Sequence, residues 1–103
     1  MILVRQEIGD VLRDFRQQQG QTLRQVASRA SVALGYLSEV ERGQKEVSSE
    51  ILASVTEALG VSMAEVMRRV GDRLAVLEGI EDAFPDVVPD DLVAEVEPEL
   101  SLR

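Results

Sequence analysis

The run TLRQVASRASVALGYLSEVERG, residues 22–43, decides how the rest of the chain must be arranged. Apolar residues fall at Leu23, Val26, Ala27 and Ala30, then again at Ala33, Tyr36, Leu37 and Val40. Each set has the spacing of a helix with one buried stripe, and the two are separated by a break around Ser31-Val32. Isolated helices shorter than about 12–15 residues are marginal in water, so this pair requires other helices to pack against.

Those helices are legible on both sides. Upstream, after a short apolar lead at residues 1–4, Ile8, Val11, Leu12 and Phe15 repeat at i, i+3, i+4 and i+7, which predicts an amphipathic helix over about 5–18. Arg13 and Arg16 lie off that stripe, and Gly20 stands where a helix-closing glycine belongs. Thr22 opens the second helix, with Gln25 in capping-box position. The third helix runs over about 33–42 and Gly43 stops it. Ser48 or Ser49 then caps a fourth helix through about residue 59, closed by Gly60. Ser62 opens a fifth, with Glu65 as a second capping-box partner. The expected class is all-α: five helices over residues 1–70, then an acidic extension over 71–103.

The fifth helix looks longer than the others. Met63, Met67, Val70, Leu74 and Leu77 follow a 4, 3, 4, 3 spacing, a heptad seam that Gly71 interrupts. Either the seam covers the bundle's own core or it meets a second copy. Five helices already close a compact unit near residue 70, which favours a dimer interface at Val70, Leu74, Leu77, Ile80 and Phe84. Beyond Gly79, carboxylates alternate with small apolar residues and Pro85, Pro89 and Pro98. A short helix near 90–96 is compatible with this pattern, in a segment otherwise expected to be loosely held.

Composition excludes several kinds of chemistry. The chain has no Cys and no His, so disulfides, the common zinc sites and His-based proton transfer are absent. No carboxylate accompanies a nucleophile, a Gly-rich phosphate loop or a ligand cluster, so neither an enzyme nor a cofactor or metal is expected. No apolar run is long enough to span a bilayer, and Arg5 and Glu7 interrupt any signal-peptide core. A cytoplasmic protein that does not touch membranes is the expectation.

The net charge of −8 argues at first against nucleic acid. Its distribution reverses that reading. Residues 1–70 hold nine Lys/Arg and nine Asp/Glu, whereas residues 71–103 hold two and ten. Within residues 5–45 the count is seven basic against five acidic, so the front of the chain can carry a basic face.

In a DNA-binding helix-turn-helix the second helix enters the major groove with its N-terminal residues nearest the base edges. Here those residues are Ala33, Leu34, Gly35, Ser38 and Glu39. Leu34 is suited to a thymine methyl, or is an ordinary surface leucine. Glu39 is suited to a cytosine amino group, or pairs with a neighbouring arginine. Gly35 permits close approach to DNA, or marks tight packing inside the protein. Phosphate contact falls to the N-terminus of the second helix at Thr22, Arg24 and Gln25, to the Tyr36 hydroxyl, and to Arg42 and Lys45. Tyr36, Leu37 and Val40 form the buried face. No Arg, Asn or Gln faces outward on this helix before Arg42. Recognition is therefore expected to rely on apolar contacts, backbone approach, water and DNA shape.

From about Ile8 to Met67 the chain resembles the Cro/C1-type (xenobiotic-response-element, XRE) helix-turn-helix family. The matching residues are Thr22-Leu23, Val26-Ala27, Tyr36-Leu37-Ser38, Glu41-Arg42-Gly43 and Leu59-Gly60-Val61-Ser62. The run from Leu34 to Glu46, followed by Ser48-Ser49-Glu50, is similar more narrowly to actinobacterial regulators of Clp protease genes. The resemblance implies a five-helix DNA-binding bundle with a C-terminal helical dimerisation extension. It further implies a homodimer on a two-half-site operator in double-stranded DNA, activating genes of ATP-dependent proteolysis. RNA polymerase and a Clp-type protease become candidate partners. A protein-interaction module, such as an antitoxin or adaptor built on the same helices, is the competing reading. Two positions depart from the family pattern. Ser31 stands where glycine is common, and Ala33 stands where a Ser or Thr cap is common. Either the turn is re-routed with Ser31 as the cap, or packing holds the third helix.

Overall fold

The structure, a computed structural model, describes residues 1–83. Over those residues the chain forms α1 (Val4–Gln18), α2 (Leu23–Ala30), α3 (Leu34–Glu41), α4 (Ser49–Leu59) and α5 (Met63–Ala83), with no strand among them. The all-α expectation holds. The expectations for Phe84 and for residues 85–103, including a helix near 90–96, lie outside the described residues.

The stripes converge on one aliphatic core. Val11, Leu12 and Phe15 of α1 meet Val26 and Ala27 of α2, Leu37 and Val40 of α3, Leu52 and Val55 of α4, and Val66 and Val70 of α5. Leu12, Leu37 and Val66 are fully enclosed. Burying an aliphatic side chain of this size contributes roughly 1.5–3 kcal/mol. The short α2 and α3 are therefore held by packing on α1 and α4, not by propensity.

The helix starts follow the sequence closely. Thr22 Oγ1 accepts from the Gln25 N–H at 3.1 Å while Gln25 Oε1 accepts from the Thr22 N–H at 2.8 Å, completing a capping box. Ser48, not Ser49, caps α4, its Oγ accepting from the Ile51 N–H. Ser62 accepts from the Glu65 N–H, but only half a capping box forms there. The Glu65 carboxylate turns instead to Arg68 and Arg69, which lie within reach one turn on.

The ends of α1 to α4 share one device. A residue in the left-handed region lets the next N–H reach back five residues, as in Gln21 to the Arg16 carbonyl, Gln44 to Glu39 and Val61 to Thr56. Glycine fills the left-handed position at 20, 43 and 60. At the end of α2 the same bond runs from the Val32 N–H to the Ala27 carbonyl at 3.0 Å, and Ser31 takes φ 57° and ψ 42°. The turn is not re-routed. Ser31 adopts the conformation for which glycine is suited, and Ala33 occupies the N-cap of α3 with no side-chain bond. Packing holds that helix start: Val32 and Leu34 both lie partly buried against the core.

Two glycines allow α1 to cross α3 closely. A Cβ at Gly9 would lie 2.4 Å from the Val40 carbonyl oxygen and 2.7 Å from that of Glu41. One at Gly43 would lie 2.8 Å from Gln6 Cα. Nothing in the sequence marks Gly9, because a glycine inside a helical pattern carries no signal of what crosses it.

Helix α5 runs through Gly71 without a break, and a Cβ there would meet nothing within 4 Å. Val70 is 4% exposed and belongs to the bundle core, which corrects its placement on an open seam. Leu74 packs partly against the same core. Met67 is exposed, off the buried stripe of Val66 and Val70. Past Leu74 the burial ends: Leu77 is half-buried, while Val76 and Ile80 are exposed.

A left-handed conformation costs a non-glycine residue roughly 1–2 kcal/mol, partly offset by the extra unfolded-state freedom that glycine brings. Ser31→Gly is therefore expected to raise stability by about 0.5–1 kcal/mol, read as a higher urea midpoint with an unchanged slope.

Candidate nucleic-acid interface

Three segments form one surface: the start of α2, the outer face of α3, and the loop from Arg42 to Ser48. Their geometry depends on α1. At the far end of α1, Arg16 Nε donates to Glu41 Oε2 at 2.8 Å and Nη2 donates to Glu41 Oε1 at 2.9 Å. Its Nη1 donates to the Gln21 carbonyl at 3.0 Å. Both side chains are largely enclosed, at 15% and 7% exposure. Glu41 is the last residue of α3, where a negative charge opposes the helix dipole, so the guanidinium also removes a local penalty. Hydrogen bonding to Glu41 raises the Arg16 pKa above its ordinary value, outweighing the opposing effect of burial. A raised basic pKa contributes stability below the unfolded-state value and loses it only as pH climbs through the higher folded one. Arg16 therefore holds its charge, and its share of the pair, throughout the neutral range.

The other end of α1 pins the loop. Arg5 Nε donates to the Gly43 carbonyl at 3.0 Å, and its Nη1 reaches Glu46 Oε1 at 3.2 Å. The Tyr36 hydroxyl donates to the Glu46 carbonyl at 2.8 Å. Tyr36 was expected in the core. It is half-buried instead, because its hydroxyl must reach the loop.

Around this frame the candidate residues fall as follows. Thr22, Arg24 and Gln25 are exposed at the start of α2. The capping box engages the Gln25 N–H and the Gln25 side-chain oxygen, leaving the Leu23 and Arg24 N–H groups and the Gln25 amide nitrogen without a partner among the described residues. Ala33 and Gly35 are exposed on α3, while Ser38 and Glu39 are half-exposed. Leu34 is half-buried, so it is not an ordinary surface leucine. A Cβ at Gly35 would meet nothing within 4 Å, so no internal packing requires glycine there. Because Ala33 offers no cap, the Leu34, Gly35 and Tyr36 N–H groups have no partner among the described residues. Arg42 and Lys45 are exposed.

Internal pairing sorts the charges. Glu7 and Asp10 bind Arg73, Glu41 binds Arg16, and Glu46 binds Arg5. Among the described residues, Arg24, Arg42 and Lys45 have no ion-pair partner, and neither has Glu39. The expected pairing of Glu39 with a neighbouring arginine does not form, since Glu41 is the carboxylate that α1 engages. Four carboxylates of the front half are thus paired with arginines, and the α2–α3 surface keeps Arg24, Arg42 and Lys45 beside the unpaired Glu39. Arg5 and Arg16 carry no sequence signal of these roles. Arg16 lies off the apolar stripe, and nothing local marks a partner 25 residues away.

A family model described as a helix-turn-helix domain matches residues 7–70. The transcriptional regulator ClgR of Mycobacterium tuberculosis is 49% identical over 83 residues, covering 81% of this chain and 74% of that protein. The chain belongs to the helix-turn-helix family of ClgR-type transcriptional regulators. The crystal structure of the clp gene regulator ClgR from Corynebacterium glutamicum matches it with a TM-score of 0.74 at 49% identity, over 79% of this chain and 86% of that one. The restriction-modification controller protein C.Esp1396I, solved as a tetramer in complex with its natural 35 base-pair operator, shares the fold. Its TM-score is 0.68 at 17% identity, over 73% of this chain and 99% of that one.

Removing one partner of a buried ion pair leaves an uncompensated charge and costs roughly 3–5 kcal/mol, whereas replacing both by apolar groups is often neutral. Arg16→Ala is expected to lose about 3 kcal/mol in urea denaturation, and Arg16→Met combined with Glu41→Leu to recover most of that loss.

Proposed function

We propose that the protein is a sequence-specific transcriptional regulator that binds a two-half-site operator as a homodimer, with α3 in the major groove. The bundle of residues 1–70 binds DNA and the remainder of α5 carries the dimer contacts. The observation that supports this most directly is the front of α3. Its first-turn N–H groups are uncapped, and its second residue is a glycine with open space around it. A helix interior prefers almost any residue to glycine by up to about 1 kcal/mol, and a first turn prefers a carboxylate. A glycine that internal packing does not need, at the end of the helix that enters a groove, fits close approach of another molecule's backbone or bases.

Phosphates are met by Arg24, Arg42 and Lys45, together with the N–H groups of Leu23 and Arg24. Thr22 and Gln25 order that helix end, and the Tyr36 hydroxyl orders the loop. Ala33, Leu34, Gly35, Ser38 and Glu39 face the bases. As in the relatives named as clp gene regulators, its targets are promoters of Clp protease and proteolysis genes. There it acts as an activator that touches RNA polymerase and whose level a Clp-type protease sets. It carries out this work in the cytoplasm and catalyses no reaction.

If three cations per protomer meet phosphates, a dimer makes about six such contacts. The log–log dependence of operator affinity on salt then has a slope of about −5. A flat response favours the protein-interaction alternative. Gly35→Glu is expected to raise thermal stability slightly, yet weaken operator binding by ~100-fold or more, because a bulky carboxylate blocks close approach and meets the negative potential of the DNA groove. Gel-shift titration beside circular dichroism reads both effects, and wild-type affinity in that variant would place the DNA face elsewhere.

A further inference from the structure

Arg73 sits where α5 leaves the bundle. Val70 before it is buried and Leu74 after it is half-buried, but Val76 and Ile80 beyond are 63% and 54% exposed. Its guanidinium is gripped at two points. Nε donates to Glu7 Oε1 at 2.9 Å and Nη2 donates to Asp10 Oδ2 at 2.8 Å. Glu7 and Asp10 are neighbours one turn apart on the same face of α1. The Glu7 side chain is 9% exposed, so this grip reaches into the bundle. Among the described residues these are the only ion pairs joining α5 to another helix, since Arg68 and Arg69 both bind Glu65 within α5.

The apolar contacts of Val66, Val70 and Leu74 hold α5 against the bundle, but such packing restricts a crossing angle only to within about 15–20°. A planar fork held at both ends resists pivoting as well as sliding, whereas a point charge on one carboxylate resists neither.

We propose that Arg73 is a positioning residue for two-half-site recognition. Its grip on Glu7 and Asp10 fixes the angle at which the exposed end of α5 leaves the DNA-binding bundle, and so the separation of the two recognition helices in the dimer. The inference rests on the reading of the protein as a dimer joined through α5. A folded unit of 70 residues has a radius of gyration of about 11 Å. A turn of about 10° at α5 therefore moves its far side by roughly 4 Å, comparable to the 3.4 Å rise of one base pair. An error of that size puts the second recognition helix out of step with its half-site.

Arg73→Lys keeps the charge but replaces the rigid planar fork with a compact point charge on a flexible stem. Asp10→Asn loosens one end of the fork at a half-exposed position and leaves Glu7 paired. Each full chain is tested by sedimentation and by titration with three kinds of duplex: a single half-site, the native two-half-site operator, and operators lengthened or shortened by one base pair. Both variants are expected to remain folded dimers, bind the single half-site as wild type does, and lose preference for native spacing by about tenfold, the size of one base-pair mismatch. Should Arg73→Lys fail to fold, Asp10→Asn alone decides. Wild-type spacing preference in the variants that fold overturns the proposal. An equal loss on the single half-site also overturns it, because it marks a general contribution to stability, and so does a shift to monomer. A wild-type protein indifferent to spacing overturns instead the two-half-site reading.

Discussion

The arrangement depends on one guanidinium. Arg16 joins the last turn of α1 to the last residue of α3, and its third contact takes the carbonyl of Gln21, just before the α2 cap. Packing of Val, Leu and Ala holds the two eight-residue helices against the bundle but restricts a crossing angle only to within about 15–20°. A bidentate fork adds a preferred direction. The pair need not add net stability over an apolar replacement, since desolvating two charges cancels much of their attraction. Its contribution is to place the end of the recognition helix and the start of the preceding helix on one rigid reference. Gly9 completes the constraint by letting α1 approach the carbonyls of Val40 and Glu41, which brings the fork within reach.

The same kind of pairing explains how a chain of net charge −8 can present a cationic face. Carboxylates and guanidiniums that bind one another inside the bundle cancel at a distance. Glu7, Asp10 and Glu41 are engaged in this way, each with an arginine of another segment, and Glu46 pairs with Arg5 at the surface. What remains at the α2–α3 surface is set by the residues without partners, and these are mainly Arg24, Arg42 and Lys45. A Debye length of about 8 Å at physiological salt keeps the acidic C-terminal third from dominating that local field across more than a short distance.

Helix number, order, starts and stops were legible in the sequence because each is encoded locally. Thr22, Ser48 and Ser62 act through an N–H three residues away, and Gly20, Gly43 and Gly60 act through their own φ. The apolar stripes gave the core for the same reason. The features the sequence concealed are those that join distant segments: Arg16 with Glu41, Arg5 with Gly43 and Glu46, Arg73 with Glu7 and Asp10. Charge carries no periodic signal, so an arginine in a buried fork reads like a solvated one. The heptad seam misled for a related reason. Its spacing identified one face of α5 but not what lies against it, and Val70 turned out to meet the bundle where an outside partner had been expected. Of the candidate interface residues, Thr22, Arg24, Gln25, Ala33, Gly35, Arg42 and Lys45 are exposed, whereas Tyr36 and Leu34 each combine packing with exposure in a way that a two-sided helix pattern cannot express.

The front of α3 violates three local rules in five residues: Ser31 holds a left-handed conformation, Ala33 fails to cap, and Gly35 weakens the first turn. Elsewhere Thr22, Ser48 and Ser62 cap α2, α4 and α5, and glycine takes each other left-handed end. Single departures are scattered: Leu3 leaves α1 without a side-chain cap, and Gly71 and Gly79 stand inside α5. A fold selected for stability alone would have Gly, Ser and Glu at these three positions. Each such replacement would also alter the surface that the helix presents. A capping side chain would occupy an outward N–H, and a carboxylate at position 35 would repel phosphate and block close approach. The departures therefore point one way, towards an N-terminus kept open, small and free of negative charge. That concentration of local disfavour on the most exposed turn of the recognition helix is expected where binding, and not folding, sets the choice of residue.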